Sequence, residues 1–164
     1  MSTKIDLEHK FSKGVASVWK MYSDRAFFER KYKDSGYSNI EVLDYQSSAK
    51  GFSITVRYDA GSDAPLPDFA KKFIGERISV TQTDSWDAAS KTGKISTEIK
   101  GAPVKVTAEM KLEGDAKSAV NRMKWTLSCG IPLVGGKLEA LLGEDVKVKS
   151  ARDQTVSAKI LADY

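Results

Sequence analysis

The sequence predicts an α+β fold: a curved antiparallel sheet of about seven strands wrapped around a long C-terminal helix, with two short helices after the first strand. Three observations predict it. From Tyr37 to Ile131 apolar and polar residues alternate with period two, as half-buried strands do. Short polar or glycine-containing stretches separate these segments, so neighbours are expected to pair antiparallel. From Leu133 to Tyr164 there is no proline. At about 100° per residue, Val134, Leu138, Leu141, Leu142, Val146, Val156 and Ile160 there share one side of a helix.

The first strand places Ile5, Leu7, His9 and Phe11 on one face and Lys4, Asp6, Glu8 and Lys10 on the other. Ser12 stands where an N-cap would, before the helical stripe Val15, Val18, Trp19 and Tyr22. Ser23 and Asp24 read as a break and a second cap. Phe27, Phe28 and Tyr32 anchor the next helix, Gly36 ends it, and Arg25, Arg30, Lys31 and Lys33 read as its solvated face. Strands over 40–46 and 52–58 flank the turn Ser47 to Gly51. Residues 60–67 form a loop, longer than a hairpin needs, leading to a short helix at Asp68 to Gly75 with Asp68 as its cap. Four strands follow. They are Arg77 to Asp87, Thr92 to Lys100, one through Val104 to Leu112 and one through Met123 to Ile131.

Composition narrows the function. The 164 residues, 41% hydrophobic and 29% charged, suit one globular domain spanning 1–164. The net charge of +4 is spread among acidic residues, so no nucleic-acid face is expected. One cysteine excludes an intrachain disulfide, the first residues carry no apolar stretch of signal-peptide length, and no apolar run would span a bilayer. The expectation is a cytoplasmic, soluble protein.

The order of elements, with Phe11-Ser12 leading to Val18-Trp19, Leu66-Pro67, Trp86 ending a strand and Ile131-Pro132-Leu133-Val134-Gly135-Gly136 before Leu138-Glu139, resembles the helix-grip fold of the START-like (SRPBCC, Bet v 1-like) superfamily. Within it the chain is most similar to the bacterial DUF2505 family, of unknown function. The glycine-rich loop of the plant allergen-like branch is not reproduced at Ser47 to Gly51, and no cyclase signature is present. The resemblance implies a cavity between sheet and terminal helix that takes an apolar or amphipathic small molecule, lipids included.

Candidate chemistry is sparse. One histidine and one cysteine cannot build a Cys/His zinc site and no carboxylates cluster, so no metal and no cofactor are expected. A serine or cysteine triad would need His9 as its base. His9 reads either as a cavity polar group or as a satisfied core histidine. Gln82 and Asp84 share a face with Ile78, Val80 and Trp86; Gln82 would orient a ligand, whereas Asp84 would be paired or neutralised, or would mark a bulge or an open end of the sheet. Tyr58, Met110, Trp125 and Cys129 suit either an apolar pocket or plain core. Phe69 and Phe73 form a gate over the cavity or a docked loop, with Lys71 and Lys72 open to transient contact with an anionic membrane. On the terminal helix Asp145, Lys149 and Arg152 fall within the apolar arc. Either they face a wet cavity, pairing as Asp145–Lys149 or Lys149–Asp153, or Gly143 shifts the helix and turns them outward. The expected function is binding of a small apolar or amphipathic ligand, as carrier or sensor. A cyclase or aromatase in the same cavity and a protein-interaction domain with a filled core are the alternatives.

Overall fold

The computed structural model describes residues 2–61, 66–75 and 77–164. Its elements run β1 (Ser2–Phe11), α1 (Val15–Tyr22), α2 (Arg25–Asp34), β2 (Ser38–Ser48), β3 (Gly51–Gly61), α3 (Asp68–Lys71), β4 (Arg77–Asp87), β5 (Thr92–Ile99), β6 (Val104–Gly114), β7 (Ala119–Cys129) and α4 (Gly135–Leu161). The strands form one antiparallel sheet in the order β1-β7-β6-β5-β4-β3-β2. Consecutive strands from β2 to β7 pair antiparallel, with α3 lying between β3 and β4 in the chain, while β1 crosses to the far edge and pairs with β7. The predicted loop over 60–67 lies in part outside the described residues; β3 itself continues to Gly61.

Local chemistry explains most boundaries. Helix α1 is capped at Gly14 and not at Ser12, because the chain must pass the β6–β7 turn closely: Val15 N donates to Asp115 O at 3.0 Å, and a Cβ on Gly14 would lie 2.5 Å from Ala116 O. Asp24 caps α2, accepting from Ala26 N at 3.0 Å. Gly36 follows α2 with φ +86, a conformation that suits glycine. In α3 the N-cap is Pro67, and Asp68 is the first helical residue. Two register shifts, at Ser38/Glu41 and Val42/Asp44, bend the edge strand β2. The register of β4 is continuous on both sides, so Asp84 marks no bulge.

At 8 and 10 residues, α1 and α2 are too short to persist alone. They are held by burying Val18, Met21, Tyr22, Phe27, Phe28 and Tyr32, each contributing roughly 1.5–3 kcal/mol. These residues belong to an aromatic-rich cluster with Phe52, Tyr58 and Trp86. A second cluster gathers Val104, Val106, Leu127, Cys129, Leu138 and Leu142, with Ala70 and Ile74 of the α3 segment.

Helix α4 crosses the concave face of the sheet and is fastened at both ends. Near its start Glu139 is buried and accepts from Cys129 N at 3.1 Å and Thr3 Oγ1 at 3.0 Å. At its end Lys13 Nζ donates to Leu161 O at 3.1 Å and Tyr164 O at 3.0 Å, supplying carbonyls that the helix cannot satisfy itself. Between them Gly143 lets helix and strand approach: a Cβ there would stand 3.1 Å from Ile5 Cδ1.

Candidate functional site

Between the two clusters lies a cavity of about 150 Å³, walled by α1, α2, the concave sheet face and α4. The period-two faces of the strands deliver one part of its wall. His9 from β1, Tyr58 from β3, Gln82, Asp84 and Trp86 from β4, Met110 from β6 and Trp125 from β7 all line it. Helix α4 delivers the other, through Leu142, Asp145, Val146, Lys149, Ser150 and Asp153. These are spaced three and four apart, so they form one stripe. Gly143 does not turn the charges outward; α4 runs unbroken through it, and Asp145 is buried.

Three polar groups organise the interior. In the first, His9 Nε2 lies 2.8 Å from Ser150 Oγ, and His9 Nδ1 lies 3.9 Å from Asp153 Oδ1. Asp153 accepts from Ser157 Oγ at 2.9 Å and pairs with Lys31 Nζ at 3.2 Å. Burial pushes the Asp153 carboxyl up, but Lys31, His9 and Ser157 together hold it below its ordinary range. Burial lowers His9, with Lys31 adding and Asp153 opposing, so the imidazole is neutral at pH 7. In the second, Tyr58 Oη donates to Gln82 Oε1 at 3.1 Å, and Gln82 Nε2 donates to Asp84 Oδ1 at 2.9 Å. Burial raises the Asp84 carboxyl above its ordinary range, although Lys31 and Gln82 pull it down. In the third, Lys149 Nζ donates to Asp145 Oδ2 at 2.5 Å and to Gly61 O at 2.9 Å.

Aromatic rings complete the wall. Tyr58 stacks against both Tyr32 and Tyr37, with centroids 4.6 and 4.7 Å away, and those two rings also touch, 5.9 Å apart. Lys31 sits about 5 Å above the rings of Phe27, Phe28 and Tyr32. Four buried polar atoms have no hydrogen-bond partner among the described residues: Tyr32 Oη, Thr97 Oγ1, Asn121 Oδ1 and Trp125 Nε1. All four residues line the cavity.

Other candidates stand elsewhere. Cys129 is buried in the second cluster, outside the cavity wall. Arg152 is half-buried at the margin of the α4 stripe and does not line the cavity. Phe69 and Phe73 pack against the second cluster, with Lys71 and Lys72 exposed beside them. Lys149 pairs with Asp145, whereas Asp153 turns to Lys31 and His9.

Lys31 is the main correction. It is 7% exposed and reaches the cavity, while Arg25, Arg30 and Lys33 are exposed. Its spacing held the signal, because Lys31 follows Phe27 by four and Phe28 by three and so shares their face. Ser150 and Asn121 were also missed; serine and asparagine carry no periodic signature. Among the described residues no group of three or more His, Cys, Asp or Glu could hold a metal ion, and no helix is long and apolar enough to cross a membrane.

The fold recurs in solved structures of low sequence identity. The Zhui aromatase/cyclase from Streptomyces sp. R1128 superposes with a TM-score of 0.70 at 13% identity, covering 99% of this chain and 94% of that one. Ara h 8.0201 gives 0.68 at 15%, covering 100% of both. A START superfamily protein from Mycobacterium smegmatis gives 0.58 at 9%, covering 96% and 98%. These likenesses establish the helix-grip fold. No curated protein matches the chain. The sequence itself is matched over residues 6–161 by the model of a family described as "Protein of unknown function (DUF2505)", and the chain belongs to that family.

Proposed function

We propose that the protein binds a small, uncharged, ring-sized molecule carrying both a hydrogen-bond donor and an acceptor, as a carrier or sensor. The observation that carries this reading is the set of unpartnered atoms on the cavity wall. Trp125 Nε1 can only donate, Asn121 Oδ1 can only accept, and the Tyr32 and Thr97 hydroxyls do either. Buried polar atoms are nearly always satisfied, by protein, water or ligand, so a guest with matching groups gains these bonds by taking water's place. An apolar cavity of this size takes one benzene-sized molecule. The guest is neutral because the charges in the wall pair internally, Lys31 with Asp153 and Lys149 with Asp145.

Calorimetric titration with phenol, benzene and benzoate tests the reading. Phenol should bind roughly twofold to tenfold more tightly than benzene, one net hydrogen bond being worth roughly 0.5–1.5 kcal/mol. Benzoate should bind weakest. Benzene binding as tightly as phenol would remove the basis of the proposal. A cyclase-type enzyme is a second reading, favoured by one observation: His9, lowered by burial, and Asp84, raised by burial, line the same cavity. It requires that His9→Gln abolish turnover of a polycarbonyl substrate while leaving phenol binding intact.

A further inference from the structure

The proposed function asks nothing of Ser150. Its hydroxyl is buried on α4, 2.8 Å from His9 Nε2, and both residues face the cavity. On the other side of the imidazole stands Asp153, 3.9 Å from Nδ1. Ser150 and Asp153 are three apart on one helix face, so the ring of His9, arriving from β1, fits between them. With the proton on Nδ1, facing the carboxylate, Nε2 is the acceptor and the Ser150 hydroxyl donates to it. We propose that Ser150, His9 and Asp153 act as nucleophile, general base and positioning residue in acyl transfer from a small neutral ester bound in the cavity. This inference rests on the cavity accepting neutral single-ring guests.

The chemistry balances within these groups. Ser150 Oγ attacks the ester carbonyl and its proton passes to His9 Nε2. The carbonyl–alkoxide bond breaks, the alcohol leaves with that proton, and an acyl-Ser150 remains. Water then attacks the acyl carbon and gives a proton to His9. The carboxylic acid departs and the proton returns to Ser150 Oγ. Asp153 opposes the desolvation that keeps His9 neutral, and so steadies the imidazolium formed in each half-reaction. The unpartnered Trp125 Nε1 and Tyr32 Oη are donors available to an acyl oxygen in the same cavity.

Two probes of single-ring size test it: phenylmethylsulfonyl fluoride, read by peptide mass spectrometry, and p-nitrophenyl acetate, read by release of nitrophenolate. Wild type should carry one sulfonyl group on Ser150 and hydrolyse the ester. Ser150→Ala should do neither and should still fold cooperatively, its melting temperature lowered by roughly 2–12 °C for the one buried hydrogen bond removed. His9→Gln should react roughly 100-fold more slowly or worse, the loss of a general base. A wild type that binds phenol but is not modified at Ser150, or hydrolysis equally fast in Ser150→Ala, overturns acyl transfer and leaves the binding reading standing. A wild type that neither binds phenol nor reacts overturns both.

Discussion

Lys31→Met removes the ammonium that faces Asp153 across 3.2 Å and keeps an apolar, flexible stem among Phe27, Phe28 and Tyr32. Breaking a fully buried ion pair costs roughly 3–5 kcal/mol, because the surviving charge is stranded. Asp153 keeps 35% of its side-chain surface exposed, so screening lowers the expected loss to about 2–3 kcal/mol. For a chain of this size that corresponds to a fall in melting temperature of roughly 4–12 °C at pH 7. The pH dependence has a definite sign. Asp153 lies below its ordinary 3.8 in the fold, so its contribution is full above that value and is lost as pH falls through the folded one. In the variant, burial acts without Lys31 and Asp153 takes up its proton earlier. The gap between the two proteins is therefore full at pH 7, narrows as pH falls toward 3.8, and closes only below it, once pH has passed the wild-type Asp153 value. Urea titrations followed by circular dichroism at pH 7, 5 and 4 would measure it. A loss below about 0.5 kcal/mol at pH 7, the cost at a solvated lysine, would refute the buried cluster. Adding Asp153→Asn to Lys31→Met should recover at least half of the loss, since no stranded charge remains.

Three further outcomes follow from the wall and the strands behind it. Asp84, raised by burial, holds its proton in the fold to higher pH than in the unfolded chain, so its contribution is full below 3.8 and is lost as pH rises. Asp84→Asn keeps an acceptor for Gln82 and should shift the urea midpoint upward at pH 7, a gain that shrinks toward pH 4; a lower midpoint at pH 7 would count against it. Gly93→Ala places a Cβ 2.6 Å from Trp86 Cδ2 and 2.9 Å from Ser85 O. This overpacking should cost about 1–3 kcal/mol and alter the near-ultraviolet dichroism of Trp86, and unchanged stability would contradict the packing. Trp125→Phe removes a donor that has no partner, so the stability loss should be confined to the lost packing, about 1–2 kcal/mol, while phenol binding weakens roughly fivefold to tenfold. Equal phenol affinity would show that the indole does not meet the guest.

Most of the fold was legible because periodicity is a local property. The alternation in β1 and β4 put His9, Gln82 and Asp84 on the inner face, where the structure also has them. The four-residue spacing offered both Asp145–Lys149 and Lys149–Asp153 as pairs, and the structure has the first. What failed was chosen over long range. Ser12 is a better cap than Gly14 in isolation, but the approach of Ala116, about a hundred residues away, leaves no room for a side chain at position 14. Lys31 read as solvated because it stands in a basic run, and its partner Asp153 lies on another helix. The Ser150–His9 contact joins residues 141 apart, and no pattern within one element can announce that.

The pairing of the first strand with the last sets an order of events during synthesis. Strand β1 leaves the ribosome before any other element, yet its register runs from Ser2 against Ser128 to Phe11 against Ala119. Strands β2 to β7 can zip together hairpin by hairpin as they emerge, while β1 has no edge to join until β7 exists. Helix α4, which packs on β1 and carries Ser150 opposite His9, comes later still. The polar interior is thus assembled last, from the two ends of the chain. A nascent chain that stalls before α4 holds a nearly complete sheet with an uncovered apolar face, the species most exposed to aggregation on the way to this fold.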